Sequence, residues 1–262
     1  MTKAQQLIDL PPQTAQSLMA EVAELANPTH AQPLQRFFKT GPGQYAEGDI
    51  FMGLTVPQSR GIVKHYFDLP DRELQLLFES RIHEHRFAAT VILTERFRKA
   101  KDELTRAAIF DLYLTALYEG HVNNWDLIDV SVPLLGNFLL EAEDQTFGAA
   151  LLDELAASDI LWRRRASIVF TFAHIRAGIF EPTLHISRAL LGDKHDLIHK
   201  ACGWMLREVG KRDADVLRAF LHETRGRMPR TELRYAIEKF DEDERQRWLG
   251  AKARNFGFSA RG

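Results

Sequence analysis

The stretch Asn123-Asn124-Trp125-Asp126-Leu127-Ile128-Asp129 joins a helix start to a tryptophan and a carboxylate at helical spacing. Asn123 or Asn124 is a suitable N-cap, because an asparagine side chain accepts a hydrogen bond from a backbone N–H of the first turn. Residues i and i+4 share one face of a helix, so Trp125 and Asp129 project the same way. Asp126 lies about 100° around the helix and is placed to serve its first turn. Taken alone, the stretch also fits an ordinary helix with a buried tryptophan and a surface aspartate.

The 3.6-residue apolar period of this helix continues along nearly the whole chain, and no sustained run of alternating β-branched residues predicts a sheet. We therefore predict an all-α fold, a single-domain superhelical stack of antiparallel helix pairs of the HEAT-like solenoid type with a concave surface. A non-helical stretch is expected around residues 40–56, where Gly41-Pro42-Gly43 favours a loop. Helices are predicted at 13–26, 29–39, 57–68, 71–80, 84–100, 102–118, 124–142, 144–156, 159–177, 181–191, 194–208, 212–224, 229–239 and 241–249.

The chain has 262 residues, 45% of them hydrophobic, which is enough for one large core, and it has no Pro/Gly/Ser-rich linker. We expect one domain over 1–262, with a helical extension over 1–30 and a flexible basic tail over 251–262. The single cysteine, Cys202, excludes an internal disulfide and fits a reducing compartment, so a cytoplasmic location is predicted. No apolar run approaches the ~20 residues that span a bilayer, so no membrane association is expected. A monomer is the simplest assembly.

The histidines predict neither a metal site nor a cofactor. His83-Glu84-His85 lacks the spacing of a zinc protease helix, and His195 with His199 is an i, i+4 pair without a supporting carboxylate motif. No glycine-rich phosphate loop follows a strand.

The net charge of −2 gives no global sign of a polyanionic partner, but the basic residues are unevenly distributed. A strip of basic residues can bind DNA on a neutral protein, although such runs are often only solvated helix faces. They cluster at Arg96-Arg98-Lys99-Lys101, at Arg163-Arg164-Arg165 and from Lys200 to Arg234.

Two further tryptophans lie on helices that carry charge. Trp162 and Arg165 are close to one turn apart in Leu161-Trp162-Arg163-Arg164-Arg165. Trp204 and Glu208 have i, i+4 spacing, and Gly203 precedes Trp204 although glycine costs a helix about 1 kcal/mol relative to alanine. Either the close approach of another surface or a helix–helix crossing explains that glycine.

In these segments the chain resembles the DNA alkylation repair glycosylases of the AlkD-like type, which are HEAT-like proteins. The resemblance extends over about residues 35–250. It is carried by WDLID at 125–129, WRRR at 162–165, GWMLREVGKRD at 203–213 and MPRTELRYAIEKF at 228–240, and the chain also looks similar at 51–60.

The resemblance implies a DNA glycosylase that excises cationic N3- and N7-alkylated purines, 3-methyladenine and 7-methylguanine, from duplex DNA held in a concave cleft. It assigns Trp125, Asp129 and Trp204 to the catalytic cleft and Arg165 to a phosphate contact. Further DNA contacts are expected from basic residues on the same segments: Arg60, Arg164, Arg207, Lys211, Arg212 and Arg230.

The chemistry suits these residue types. An alkylated purine already carries a positive charge and leaves without a general acid, while positive charge grows on the deoxyribose. A carboxylate such as Asp129 stabilises that charge electrostatically. Two electron-rich indoles suit a cationic nucleotide. The alternatives are a non-catalytic HEAT-like protein that binds damaged or branched DNA, and a protein–protein scaffold.

Overall fold

The structure is a computed structural model that describes residues 13–141 and 145–250. Regular secondary structure in these ranges is helical, and only the isolated bridge between Ile50 and Ile82 has strand-type pairing. The prediction of an all-α fold is thus confirmed. The chain divides into two compact units between Phe138 and Leu139, called unit 1 and unit 2. None of the helices in the described ranges combines the length and the apolar character needed to cross a bilayer.

Unit 1 is organised around a long buried helix, α5, against which α3, α4, α6 and α7 pack. Its helices are α1 (Ala15–Glu24), α2 (Pro28–Phe37), α3 (Val56–Val63), α4 (Asp71–Phe78), α5 (His83–Lys99), α6 (Glu103–Tyr118) and α7 (Trp125–Leu135). A short helix, α8 (Asn137–Glu141), contains the boundary to unit 2.

The helix starts of unit 1 follow from local sequence. Thr55 forms a capping box with Gln58 in front of α3, and the Asn27 side chain caps α2 ahead of Pro28. The Asp102 side chain likewise accepts a hydrogen bond from Thr105 N at the start of α6.

Unit 2 contains α9 (Gln145–Ala156), α10 (Leu161–Phe170), α11 (Phe172–Arg176), α12 (Glu181–Ala189), α13 (Asp196–Gly210), α14 (Ala214–Thr224), α15 (Arg230–Ala236) and α16 (Glu242–Gly250). In both units helices pack against their second neighbour as well as the next one: α5 against α7 in unit 1, and α13 against α15 in unit 2. This packing is consistent with the predicted solenoid of stacked helix pairs.

Two predicted helices are interrupted. The helix expected at 124–142 ends at Leu135, two residues after Pro133, whose ring nitrogen has no N–H for the helix ladder. The helix expected at 159–177 breaks at Thr171, whose buried hydroxyl donates to the Ile168 carbonyl over 2.6 Å. The apolar period runs through both breaks, so periodicity alone missed them. The helix predicted at 57–68 is also shorter, since it ends at Val63.

Helix α1 lies within the predicted N-terminal extension over 1–30, and α2 begins at its end and runs on to Phe37. The predicted tail over 251–262 lies outside the described residues, as do residues 1–12. The single domain stays a prediction.

Candidate functional site

Helix α7 begins where the sequence predicts. Asn124 is its N-cap, fully buried, and its side-chain oxygen accepts a hydrogen bond from Trp125 N over 2.9 Å. The Asp126 carboxylate accepts a second one from Leu127 N over 2.9 Å. The amide nitrogens of Asn123 and Asn124 approach the buried carboxylate of Asp49, 3.1 and 3.5 Å away. These contacts fix the first turn, which carries Trp125, and Asp129 follows one turn later on the same helix.

The indole of Trp125 is half-buried against two phenylalanines at the end of α2. It stacks on Phe38 with ring centroids 5.1 Å apart and planes 6° from parallel. Phe37 meets it edge-on at 6.0 Å and is 64% exposed. The orientation of the indole is therefore set by residues almost ninety positions earlier in the chain.

The stack continues inward from Phe38. Phe51 lies 4.7 Å from Phe38, and the His83 ring lies 4.4 Å from Phe51 at an interplanar angle of 22°. We call the four rings of Trp125, Phe38, Phe51 and His83 the aromatic stack. Only Trp125 among them is half-buried rather than buried.

A buried ionic network lies beneath the stack. His83 Nε2 is 2.7 Å from Asp126 Oδ2, and its Nδ1 is 3.6 Å from Asp49, an ion-pair distance beyond hydrogen-bond range. Arg86 pairs with Asp49 at 2.7 Å. Burial lowers the pKa of His83, but the neighbouring carboxylates outweigh it and raise the pKa to about 9. Burial raises the pKa of Asp49, but His83 and Arg86 bring it below its ordinary value.

Asp129 is half-buried one turn beyond Trp125. Its charge acts on the phenol of Tyr113, which is fully buried and receives a hydrogen bond from Ser131 over 3.0 Å. Burial is the main cause that raises the pKa of Tyr113, and the negative charge of Asp129 adds to it. Asp129 therefore lies at the margin of a buried polar region.

In unit 2, Trp204 is half-buried on α13, with Phe172 at 6.2 Å. The glycine before it, Gly203, is explained by a helix crossing, because a Cβ there would lie 2.5 Å from Tyr235 Cβ and 2.6 Å from the Glu232 carbonyl. Of the two explanations for this glycine, helix–helix packing is the one that the structure supports.

The arginine run on α10 is engaged inside unit 2. Arg165 is buried and donates to the Leu197 carbonyl in the first turn of α13, over 2.6 Å. Arg164 binds Asp193 Oδ2 over 2.6 Å and the Ser158 carbonyl over 2.8 Å. The two side chains therefore tie α10 to the segment that precedes and begins α13.

Three further predicted DNA contacts lie together around the buried carboxylate of Glu208. Lys211 Nζ is 2.6 Å from it, Arg212 Nη1 is 3.6 Å away and Arg207 Nε is 3.7 Å away. Arg207 also pairs with Glu238. Among the remaining two, Arg230 donates to the Leu249 carbonyl over 2.6 Å, and Arg60 is exposed on α3.

Sequence reasoning missed the residues that support α7. In the sequence, His83-Glu84-His85 suggests only a metal motif, whereas in the structure Glu84 accepts backbone hydrogen bonds from Met52, Gly53 and Leu54 at 3.0, 2.8 and 3.3 Å. Within residues 13–141 and 145–250, no three His, Cys, Asp or Glu side chains are grouped as metal ligands would be. The sequence signal for these residues is a predicted helix that opens with four consecutive polar residues. In the structure all four of them are buried.

A family model described as DNA alkylation repair enzyme matches residues 18–240. No curated protein matches the sequence. A solved structure, described as a predicted DNA alkylation repair enzyme from Enterococcus faecalis, is similar with a TM-score of 0.64 and 14% identity, covering 83% of this chain and 97% of that chain. At that identity the likeness concerns the fold alone. The family match extends over most of the sequence, and the chain belongs to the family of DNA alkylation repair enzymes.

Proposed function

We propose that this protein is a DNA glycosylase that removes N3- and N7-alkylated purines, such as 3-methyladenine and 7-methylguanine, from duplex DNA. The observation that carries the proposal is the pair formed by Trp125 and Asp129, an indole and a carboxylate one turn apart on α7, both half-buried. Membership of the repair family supports alkylated DNA as the substrate.

The proposed reaction breaks the bond between N9 of the purine and C1′ of the deoxyribose, and the electron pair of that bond leaves with the base. Because alkylation has already made the base cationic, it departs as a neutral molecule. Positive charge develops on the sugar, and Asp129 stabilises it electrostatically while a water molecule attacks C1′. Water supplies the hydroxyl group, and its proton is released to solvent.

Trp125 is suited to hold the cationic nucleotide next to Asp129. Its indole can contribute about 0.5–2 kcal/mol of cation–π attraction. Phe38 stacks on one face of the ring and Phe37 lies edge-on to it, and these two contacts restrict the rotation of the indole. A fixed ring lowers the entropy cost of ordering the substrate.

We further propose that Trp204 contacts the cationic nucleotide and that Arg165 contacts a phosphate. Arg165 already gives one N–H to the Leu197 carbonyl, which holds the guanidinium in a fixed orientation. The cations around Glu208 would bind phosphates without reading sequence. We also propose that the protein acts on duplex DNA as a monomer.

The test is release of 7-methylguanine and 3-methyladenine from methylated duplex DNA by wild type, Asp129→Asn and Asp111→Asn. Asp111 is exposed on α6 and serves as the control for loss of one carboxylate. We expect Asp129→Asn to lose roughly 100-fold or more in rate with DNA affinity retained, and Asp111→Asn to match wild type. Tight binding by wild type without release of either base would instead identify a DNA-binding protein of this family.

A further inference from the structure

His83 is connected to Trp125 by two separate routes. The first is the aromatic stack, in which Phe51 and Phe38 lie between the imidazole and the indole, with successive centroid distances of 4.4, 4.7 and 5.1 Å. The second is the 2.7 Å contact between His83 Nε2 and Asp126, the residue that follows Trp125. One route reaches the indole ring and the other reaches its backbone.

The backbone around His83 holds the first route in place. His83 N donates to the Ile50 carbonyl over 2.8 Å, and Ile50 N donates to the Arg81 carbonyl over 3.0 Å. These two bonds fix the segment that carries Phe51 against the start of α5. The backbone next to Phe51 is therefore tied to the backbone of His83 by main-chain hydrogen bonds.

We propose that His83 is a positioning residue for the base-excision reaction, which sets the orientation of Trp125 and the first turn of α7 through the aromatic stack and the Asp126 contact together. This inference rests on the proposed glycosylase function. His83 is 3% exposed, stacked on Phe51 and paired with Asp126, so it acts through Trp125 and Asp126. Asp129 follows on the same helix, and its place relative to the indole depends on the same first turn.

A histidine suits this position because it supplies a flat ring for Phe51 and a charged donor for Asp126. Three charged groups face it: Asp126 from α7, Asp49 from the segment before Ile50, and Arg86 from its own helix. Phenylalanine keeps the ring and loses both nitrogens. Glutamine keeps a donor and loses the ring and the charge. His83→Phe therefore removes the contact with Asp126 and keeps a ring in the aromatic stack, whereas His83→Gln removes the ring and keeps a donor for Asp126.

The experiment compares wild type with His83→Phe, His83→Gln and Asp126→Asn, and uses His85→Phe as a matched control. His85 is a second buried histidine on α5, bonded to Ser80 and outside the aromatic stack. We expect His83→Phe and His83→Gln to lower kcat for release of 7-methylguanine about 10- to 100-fold with KM nearly unchanged, as for small misplacements of reacting groups. His85→Phe should keep the wild-type kcat. Equal losses in the His83 and His85 variants would reduce His83 to a general structural residue and overturn the proposal.

The pH profile gives a readout that a purely structural role does not move. Asp126 and Asp49 raise the pKa of His83 to about 9 against the effect of burial, so its charge is lost as pH rises through that value. Wild-type kcat should therefore fall as pH rises through about 9, and this decline should be absent from His83→Phe. A decline of the same size in both proteins contradicts the proposal.

A second measurement is independent of catalysis. Acrylamide quenching of Trp125 fluorescence is obtained as the difference between each protein and its Trp125→Phe version. Quenching should increase in His83→Phe and His83→Gln and stay at the wild-type value in His85→Phe.

If wild type releases no base, the proposed function fails, and this quenching still decides whether His83 positions Trp125. If the His83 variants do not fold, Asp126→Asn, which keeps the shape of the side chain and removes the charge that pairs with His83, takes their place in both measurements. Wild-type kcat and quenching in that variant would overturn the proposal.

Discussion

The carbonyl oxygen of Glu232 lies so close to Gly203 that a Cβ on residue 203 would approach it to 2.6 Å. The same Cβ would lie 2.5 Å from Tyr235 Cβ. Helices α13 and α15 therefore cross at van der Waals contact of their backbones, one residue before Trp204. Neither contact is with the flexible end of a side chain, so the space cannot be made by a rotamer change.

Gly203→Ala should destabilise the protein by about 1–3 kcal/mol, because overpacking at this crossing outweighs the gain in helix propensity. Gly61→Ala on α3 is the control, since nothing lies within 4 Å of a Cβ there. That substitution should stabilise the protein by about 0.5–1 kcal/mol. Urea unfolding of the three proteins measures both effects. Equal stability of Gly203→Ala and wild type would show that the two helices separate at little cost.

The free energy of unfolding should decrease as pH rises, because Glu232 is buried as a neutral carboxylic acid. Its carboxyl group is 0% exposed, neither oxygen has a hydrogen-bond partner among the described residues, and burial raises its pKa to about 8. The folded state therefore holds a proton that the unfolded chain releases above about pH 4.5. The stability that this proton contributes is complete below pH 4.5 and is lost as pH rises through 8. The free energy of unfolding changes over that range by up to roughly 1.4 kcal/mol per pH unit.

Glu232→Gln should remove that slope, since glutamine keeps the shape and does not ionise. Chemical unfolding of wild type and variant from pH 5 to 9 tests it, with the exposed Glu24→Gln as control. We expect the variant to become the more stable protein at the alkaline end. Parallel stability curves would mean that Glu232 ionises in the folded state at an ordinary pKa.

The two adjacent phenylalanines at the end of α2 should differ sharply in their contribution to stability. Phe38→Ala removes a 7% exposed ring from the middle of the aromatic stack and should cost about 3–5 kcal/mol. Phe37→Ala removes a ring that is 64% exposed and should change stability by less than about 1 kcal/mol. Thermal and urea unfolding compare the pair directly. Similar losses would show that Phe37 packs on Trp125 as tightly as Phe38 does.

DNA affinity should increase when the charge of Glu208 is removed. Its carboxylate neutralises Lys211 at 2.6 Å and lies within 4 Å of Arg207 and Arg212. Glu208→Gln keeps the shape and leaves these cations for phosphates. Duplex binding should tighten, and the slope of log K against log salt should steepen by about one. Glu24→Gln is the control for the change of net charge. An unchanged slope in Glu208→Gln would remove this cluster from the DNA contacts.

The sequence by itself determined the helical class, most helix starts and the pairing of Trp125 with Asp129. These features are local. Each feature depends only on residues within about two turns of one another: a 3.6-residue period, an asparagine N-cap and an i, i+4 spacing. Local sequence therefore predicts them directly. The sequence motifs also identified the family of DNA alkylation repair enzymes, whose model matches residues 18–240.

The tertiary structure decided what surrounds these residues. His83 contacts Asp126 across 43 positions, Asn123 contacts Asp49 across 74, and Phe38 stacks on Trp125. It also decided that Arg165 is buried and that Glu208 lies next to three cations at the end of α13, namely Arg207, Lys211 and Arg212. No local pattern encodes such contacts, because they depend on which helices pack and at what angle. Charge in the sequence marks a residue as ionisable, and only packing decides whether its partner is a carboxylate of the same chain or a phosphate.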